Sequence, residues 1–391
     1  MKSDKQHSIR HQTGFSLIEI LVGLVIGLLA TLVIMQVFSV FEGQKRTTTG
    51  SADAQTNGSI ALYSIASELK MAGYGLLPAD NSPIECTTLA YDTTGITDIS
   101  PVTITDGGTG AGASDSITIR YGTSDTGGIP AMIGGVTGND VALADSQSHP
   151  LNNMGCNVGD VAVITSVDGT ACNFSSVTAL SALGATPVTV TLQNPAGAVP
   201  GANLACLGTW HTTQFEVNPS YDPTVPANAQ AYLQRTDASF PVPAAGNLPA
   251  APIVADIVNV QAQYGVSGTA NSNLVSQWVD ATGSWTQANL ATNIANRNRI
   301  KAVRIAVVAR NGRQEKDAVT PLLPNGKACS SLTSTNPTGL CAWDATSASP
   351  TIASPAPEID LTNDPKWQHY RYRVFETIIP LRNMIWSKST L

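Results

Sequence analysis

Hydrophobic and polar positions follow three successive patterns along the chain. Residues 20–41 form a block of 22 residues without a charge, long enough to cross a bilayer core as a helix at about 1.5 Å per residue. The apolar run begins at Phe15, and a single carboxylate, Glu19, interrupts it. Residues 42–58 hold Lys45, Arg46, several threonines and three glycines, a weak helix former that predicts a kink near 47–51. Helical spacing then resumes, with Leu62, Ile65, Leu69 and Ala72 on one face, Ser64, Glu68 and Lys70 elsewhere, and Gly73 placed as a C-cap. One long helix from residue 15 to about 72 is predicted, its second half laying an apolar stripe against a head.

From residue 75 to about 251 the pattern changes to short β-prone runs between Gly, Pro, Asn and Asp clusters. Candidate strands are 116–121, 160–166, 187–193, 212–217 and 231–235. The segment 106–114, DGGTGAGAS, reads as a loop; it has neither the GK[ST] nor the strand-to-helix frame of a phosphate loop. This region reads as a large β-rich insertion. The last third is more regular. Residues 253–266 alternate at Val258, Val260, Ala262 and Tyr264, and residues 300–310 set Val303, Ile305 and Val307 against Arg304 and Arg310. Residues 369–380 set Tyr370, Tyr372, Val374 and Glu376 against Arg371, Arg373, Phe375 and Thr377, and 287–296 is a short helix candidate. The expected fold class is α+β, a long helix on an antiparallel sheet.

Composition narrows the function. Charged residues make up 13% of the chain and the net charge is -7, with no basic cluster outside the first residues, so nucleic acid is not an expected partner. All six cysteines, Cys86, Cys156, Cys172, Cys206, Cys329 and Cys341, follow the apolar run, and none has a metal-ligand spacing. An even number beyond a membrane segment reads as disulfides of an oxidising compartment. Cys329 with Cys341, across a turn-rich loop, is the firmest expected pair; Cys156 with Cys172 and Cys86 with Cys206 are the expected others, free buried thiols being the alternative. His149, His211 and His369 are scattered, and no HExxH or GxSxG occurs. His369 with Arg371 and Arg373 as an anion site, and Trp278 with Trp285 as a sugar platform, are outweighed by ion pairing and packing. No catalytic, cofactor or metal site is expected.

Lys2, Lys5 and Arg10 against Asp4 precede the apolar run, which predicts a cytoplasmic N-terminus and an exported C-terminal bulk. The run is longer than a secretory h-region and has no small-residue cleavage site after residue 41. A plain anchor leaves Glu19 unexplained, since a carboxylate within a spanning helix costs roughly 2.5 to 3.5 kcal/mol on insertion scales. Gly14-Phe15-Ser16-Leu17-Ile18-Glu19 resembles the type III signal of type IV pilins and type II secretion pseudopilins. That resemblance implies cleavage between Gly14 and Phe15 by the prepilin peptidase, methylation of the Phe15 amine, and an assembly role for Glu19. As the fifth mature residue, Glu19 is then within reach of an α-amino group, its own or a neighbour's. Gly23 and Gly27, continued by Ala30, form a GxxxG face for close helix packing in lipid.

The segments LYSIASELKMAGYG, IVNVQAQYGV, VRIAVVAR and RYRVFETIIPLRNMIW resemble PilW-family minor pilins of the type IVa pilus. The resemblance implies a pilin-like fold, divided into a leader (1–14), a transmembrane half-helix (15–41), a periplasmic half-helix (42–74), a β-rich variable region (75–251) and a sheet-bearing C-terminal region (252–391). It implies a minor pilin that primes or caps the filament with other minor pilins, the major pilin and a large tip adhesin, first in the inner membrane with a periplasmic head and then at the pilus tip or in the fimbrium. Many relatives have an acidic turn after the YGV strand; 267–273, SGTANSN, lacks those acids, so no metal is assigned there. A type II secretion minor pseudopilin is the alternative reading, and a signal-anchored periplasmic enzyme a more distant one.

Overall fold

The computed structural model describes residues 14, 16–76, 86, 88–91, 98–144, 155–182, 184–242, 246–270, 272–322, 329, 338–343 and 356–384. Contacts divide the chain into two units, residues 1–50 and 51–391. Helix α1 is one element, Leu17–Leu69. It continues through 47–51, where composition predicts a kink: the hydroxyls of Thr47 and Thr48 donate to the carbonyls of Gly43 (3.1 Å) and Gln44 (2.9 Å), so these side chains are satisfied by the helix itself.

In the second unit α1 buries Ala54, Ala61, Ile65 and Leu69, with Ala72 in the turn beyond. The stripe recurs at helical spacing, and Leu62 sits half-buried at its margin. Gly73, at a φ of 75°, takes the left-handed conformation that ends the turn and donates its N–H to the Arg120 carbonyl at 2.9 Å.

The strands in chain order are β1 (Thr88–Tyr91), β2 (Val102–Thr105), β3 (Ser116–Tyr121), β4 (Ala131–Thr137), β5 (Asp140–Leu143), β6 (Val161–Thr165), β7 (Ala171–Leu180), β8 (Thr189–Leu192) and β9 (Asn203–Gly208). They continue with β10 (Trp210–Val217), β11 (Tyr232–Phe240), β12 (Ala251–Ala255), β13 (Ile257–Ser267), β14 (Val275–Val279), β15 (Ile300–Arg310), β16 (Leu340–Cys341), β17 (Glu358–Ile359) and β18 (Tyr372–Pro380). Short helices α2 (Gln287–Thr292) and α3 (Ile294–Arg297) lie between β14 and β15. The C-terminal strands form an antiparallel sheet in the order β14-β13-β15-β18.

The region 75–251 divides in two. Strands β12-β11-β10-β3-β2 form a second antiparallel sheet. Its Ile117, Ile119, Phe215 and Leu233 share one core with the helix stripe and with Val260, Ala262, Tyr264, Val303, Ile305 and Val307 of the first sheet. Between β3 and β10, which pair directly at Tyr121 and His211, the chain leaves to build β4 to β9. These close as β7-β6-β9-β4-β5-β8 and back to β7, a six-stranded antiparallel barrel with its own core and no unpaired edge of the kind an open sheet exposes.

Strand pleating in the barrel decides the disulfides. Ala162 and Ile164 of β6 and Cys206 of β9 point inward with Cys156. Val161 and Val163, with Cys172 of β7, point outward to meet Cys86, Leu76 and Trp210. Cys172 and Cys206 therefore lie on opposite faces, and the bonds are Cys86–Cys172 and Cys156–Cys206. The expected pairs Cys156 with Cys172 and Cys86 with Cys206 are corrected accordingly, because proximity in sequence favours a partner that the pleat turns away. Cys329 and Cys341 are bonded to each other.

The outer face of the C-terminal sheet is also buried. Residue 258 is a bulge, so Val258 packs outward with Ala306, Val308, Trp343 and Trp367 while Val260 packs inward. Arg304 and Arg310 are buried there at 3% and 6% exposure. Arg304 lies over the Trp343 ring at 4.4 Å, and Arg310 over Tyr370 at 4.5 Å with Asp364 at 3.3 Å, so cation–π contact and ion pairing replace water around each guanidinium. The glycine-rich segment docks on β13. The Asp115 N–H donates to the Val260 carbonyl (2.8 Å), and its carboxylate accepts from the N–H groups of Gly107 (2.9 Å) and Ala262 (2.7 Å).

Candidate assembly segment and its anchorage

Every described side chain from 16 to 45 is exposed, and α1 is long and apolar enough to cross a membrane by length and composition. Leaving Leu, Ile, Val and Phe so exposed is costly in water, so the segment requires lipid or other helices around it. At its start Ser16 occupies the N-cap position. The Glu19 carboxylate reaches back to accept the Ser16 N–H at 3.0 Å, and the Glu19 N–H donates to the Ser16 carbonyl at 3.0 Å, one arm of a capping box. The carboxylate is thereby held against the backbone at the first turn of the helix. Gly14 is exposed; Phe15 and residues 1–13 lie outside the described residues. A Cβ at Gly23 or Gly27 meets nothing within 4 Å, so both glycines present open backbone.

Within the head, the helix is fixed to both sheets. Glu68 takes Arg235 of β11 at 2.9 Å and accepts the Tyr121 hydroxyl of β3 at 3.0 Å. Burial first, then the neighbouring Glu68 carboxylate, pushes that hydroxyl up to about 12, so it remains a donor. Arg235 also holds Asp237 at 2.8 Å, and Asp237 accepts from Thr213 at 2.8 Å. His211 stacks on Tyr121 with centroids 5.2 Å apart, and burial lowers its pKa. On the other sheet, Arg373 donates to Gln55 (3.0 Å) and Ser51 (3.3 Å). Phe375 covers Gly58, where a Cβ lies 2.1 Å from the ring. The Asn383 amide caps the helix end by donating to the carbonyls of Lys70 (3.4 Å), Met71 (3.4 Å) and Ala72 (3.1 Å), an arrangement without a local sequence signal.

The remaining candidates are structural. Arg371 pairs with Glu315 at 2.7 Å and His369 contacts the Glu315 carbonyl at 3.0 Å. Trp278 and Trp285 receive Arg304 (5.9 Å) and Arg299 (5.3 Å). His149 lies outside the described residues. Among the described residues no group of His, Cys, Asp and Glu is arranged to hold a metal.

A long helix with an open apolar first half, a second half clamped into an antiparallel head, and a capped carboxylate at its start define a type IV pilin-like protein. The profile described as Prokaryotic N-terminal methylation motif matches residues 9–35, and that of Type IV Pilus-assembly protein W matches residues 224–383. Over residues 224–383 the chain is therefore similar to the PilW family, which its description associates with type IV pilus assembly, and over residues 9–35 it carries the methylation-type signal. Among solved structures it is similar to a type IV-like pilin from Thermus thermophilus at 11% identity and a TM-score of 0.31, over 84% of this chain and 96% of that one; a likeness this slight carries no argument. No curated protein matches.

Proposed function

We propose that this chain is a minor pilin that primes or caps a type IV pilus together with other minor pilins, the major pilin and a large tip adhesin. The observation that carries the reading is the pairing of a methylation-type signal with a PilW match over the head. In this reading the prepilin peptidase cuts between Gly14 and Phe15 and the Phe15 amine is methylated. The helix sits in the inner membrane with its N-terminus cytoplasmic and its head periplasmic. Glu19 then meets a subunit amine in low dielectric, where pairing is strong, and Gly23 and Gly27 admit a neighbouring helix. The pseudopilin reading shares the signal and helix; the PilW match over the head favours the pilus.

The test is intact-mass analysis with and without the peptidase, followed by a pilus-shear and crosslinking assay of Glu19→Ala at matched protein level. A methylated chain beginning at Phe15 is expected. The variant should be cleaved and membrane-embedded but lose its crosslinks to partner pilins. Recovery of only the full-length chain overturns the pilin reading, and parental crosslinks and pilus yield in the variant remove Glu19 from assembly.

A further inference from the structure

Two clefts meet at the C-terminal end of β2, on either side of Thr105 and Asp106. The larger, about 690 Å³, lies between β2 and α2, with Ile104, Ala281 and Ala288 as apolar wall and Asp98 and Asp106 as its acids. The smaller, about 260 Å³, opens between the glycine-rich loop and the end of β10 and is lined by Glu216, Pro219 and Tyr221. Among the described residues no lysine or arginine lines either cleft. Asp98 is matched by Arg120 at 3.2 Å. Asp106 accepts from the Gly108 N–H (2.7 Å), and Glu216 accepts from the amides of Gln234 (2.7 Å) and Gln214 (3.4 Å); among the described residues neither has a cationic partner.

The region that contributes β2, the glycine-rich loop and β10 is poor in positive charge. Residues 75–251 contain fourteen acidic residues and two basic ones, Arg120 and Arg235. Both arginines are already engaged, by Asp98 and by Glu68 with Asp237. β2 is the terminal strand of its sheet, so the larger cleft runs along a strand edge, a geometry suited to an extended chain. Apolar walls ending in carboxylates match the aliphatic stem and charged head of a lysine or arginine.

We propose that the two clefts form one docking groove for an extended segment of a partner pilus subunit, with a lysine or arginine head placed between Asp106 and Glu216. That the partner is a pilus subunit rests on the proposed function; that the occupant is a basic peptide rests on the groove. Glu216 is half-buried and Asp106 exposed, so the head is held chiefly by the less screened Glu216 carboxylate, with Asp106 adding attraction at the mouth.

The test uses the full-length chain in detergent, titrated calorimetrically with pentalysine and, separately, with putrescine. Pentalysine should bind, and Asp106→Asn with Glu216→Gln should weaken it roughly tenfold or more. Gln287→Arg, which places a cation in the cleft with both carboxylates kept, should block it. Absence of pentalysine binding, or binding unchanged in these variants, overturns the groove; putrescine binding as tightly as pentalysine overturns a peptide occupant. In piliated cells, a photocrosslinker at Pro219 should join a lysine- or arginine-bearing segment of another pilus subunit, with the yield falling in the neutralised variant. No adduct, or an adduct on a segment without a basic residue, overturns the proposal. Failure of the pilus reading itself appears in the Phe15 processing and pilus-yield assays and leaves the pentalysine titration unchanged.

Discussion

Gly58 offers the sharpest test of how the helix is held in the head. A Cβ built there lies 2.1, 2.3 and 2.8 Å from three atoms of the Phe375 ring, well inside contact distance, so Gly58→Ala forces the ring or the helix to move. Overpacking of this kind costs about 1–3 kcal/mol. Alanine in a helix interior is meanwhile favoured over glycine by about 1 kcal/mol. The net expectation is a loss of up to about 2 kcal/mol, or up to about 4 °C at about 2 °C per kcal/mol for a large domain. With Phe375→Ala the clash disappears and only the propensity term remains, so Gly58→Ala should then stabilise by up to about 1 kcal/mol. The sign reverses between backgrounds, with a coupling of about 1–3 kcal/mol. Thermal unfolding of the full-length chain in detergent, followed by near-ultraviolet circular dichroism, measures all four corners of the cycle. Equal shifts from Gly58→Ala in both backgrounds would refute the packing of β18 on this face of the helix.

Asp115 adds a pH dependence: burial raises its carboxyl from 3.8 to about 7 despite two backbone N–H donors. Between those values the folded chain keeps a proton that the unfolded chain has released, so stability falls as pH rises from about 4 to 7, by up to about 4 kcal/mol, and is level above. Melting temperatures of Asp115→Asn should lack that part of the slope; parallel pH profiles would exclude the assignment. For the disulfides, Cys156→Ser should leave one new free thiol, at Cys206, with Cys86 still bonded to Cys172 in non-reducing peptide maps. A free thiol at Cys172 instead would contradict the barrel's inside and outside faces.

The legible parts of the fold were those where side-chain alternation is undisturbed. The expected strands 116–121 and 300–310 coincide with β3 and β15 end to end, because Ile117 and Ile119 alternate in the one and Val303, Ile305 and Val307 in the other, past the register shift at Lys301. Strand β4, AMIGGVT, is broken by two glycines, and β7, ACNFSSVTAL, is largely small and polar; neither declares a strand through hydrophobicity. Barrel closure depends on β7 pairing with β8 as well as β6, a tertiary fact that no local window contains. The same holds for the cysteines, whose pairing follows from which face of β6, β7 and β9 is inner. The signal around Gly14 and Glu19 was legible because a carboxylate in an apolar run is expensive and its spacing from a glycine is short. The Asn383 cap was not, because its acceptors lie 311 to 313 residues away.

Small residues recur along α1 in two environments. Ala54 and Ala61 are buried, and Gly58 with them, against the chain's own sheets, where removing side-chain bulk brings the helix backbone close enough for Phe375 to cover it. Gly23, Gly27 and Ala30 are small in the same way, yet a Cβ at either glycine meets nothing within 4 Å. In lipid, where tails are as apolar as leucine, helices associate mainly through close backbone approach and not through burial of oily surface. A small-residue face left open there retains its capacity for contact, whereas the face in the head has already used it. The two stretches of one helix therefore differ: residues 51–72 pack into the head, and the side chains of residues 17–41 are exposed; in the proposed pilus that open face is the part left for a neighbouring helix.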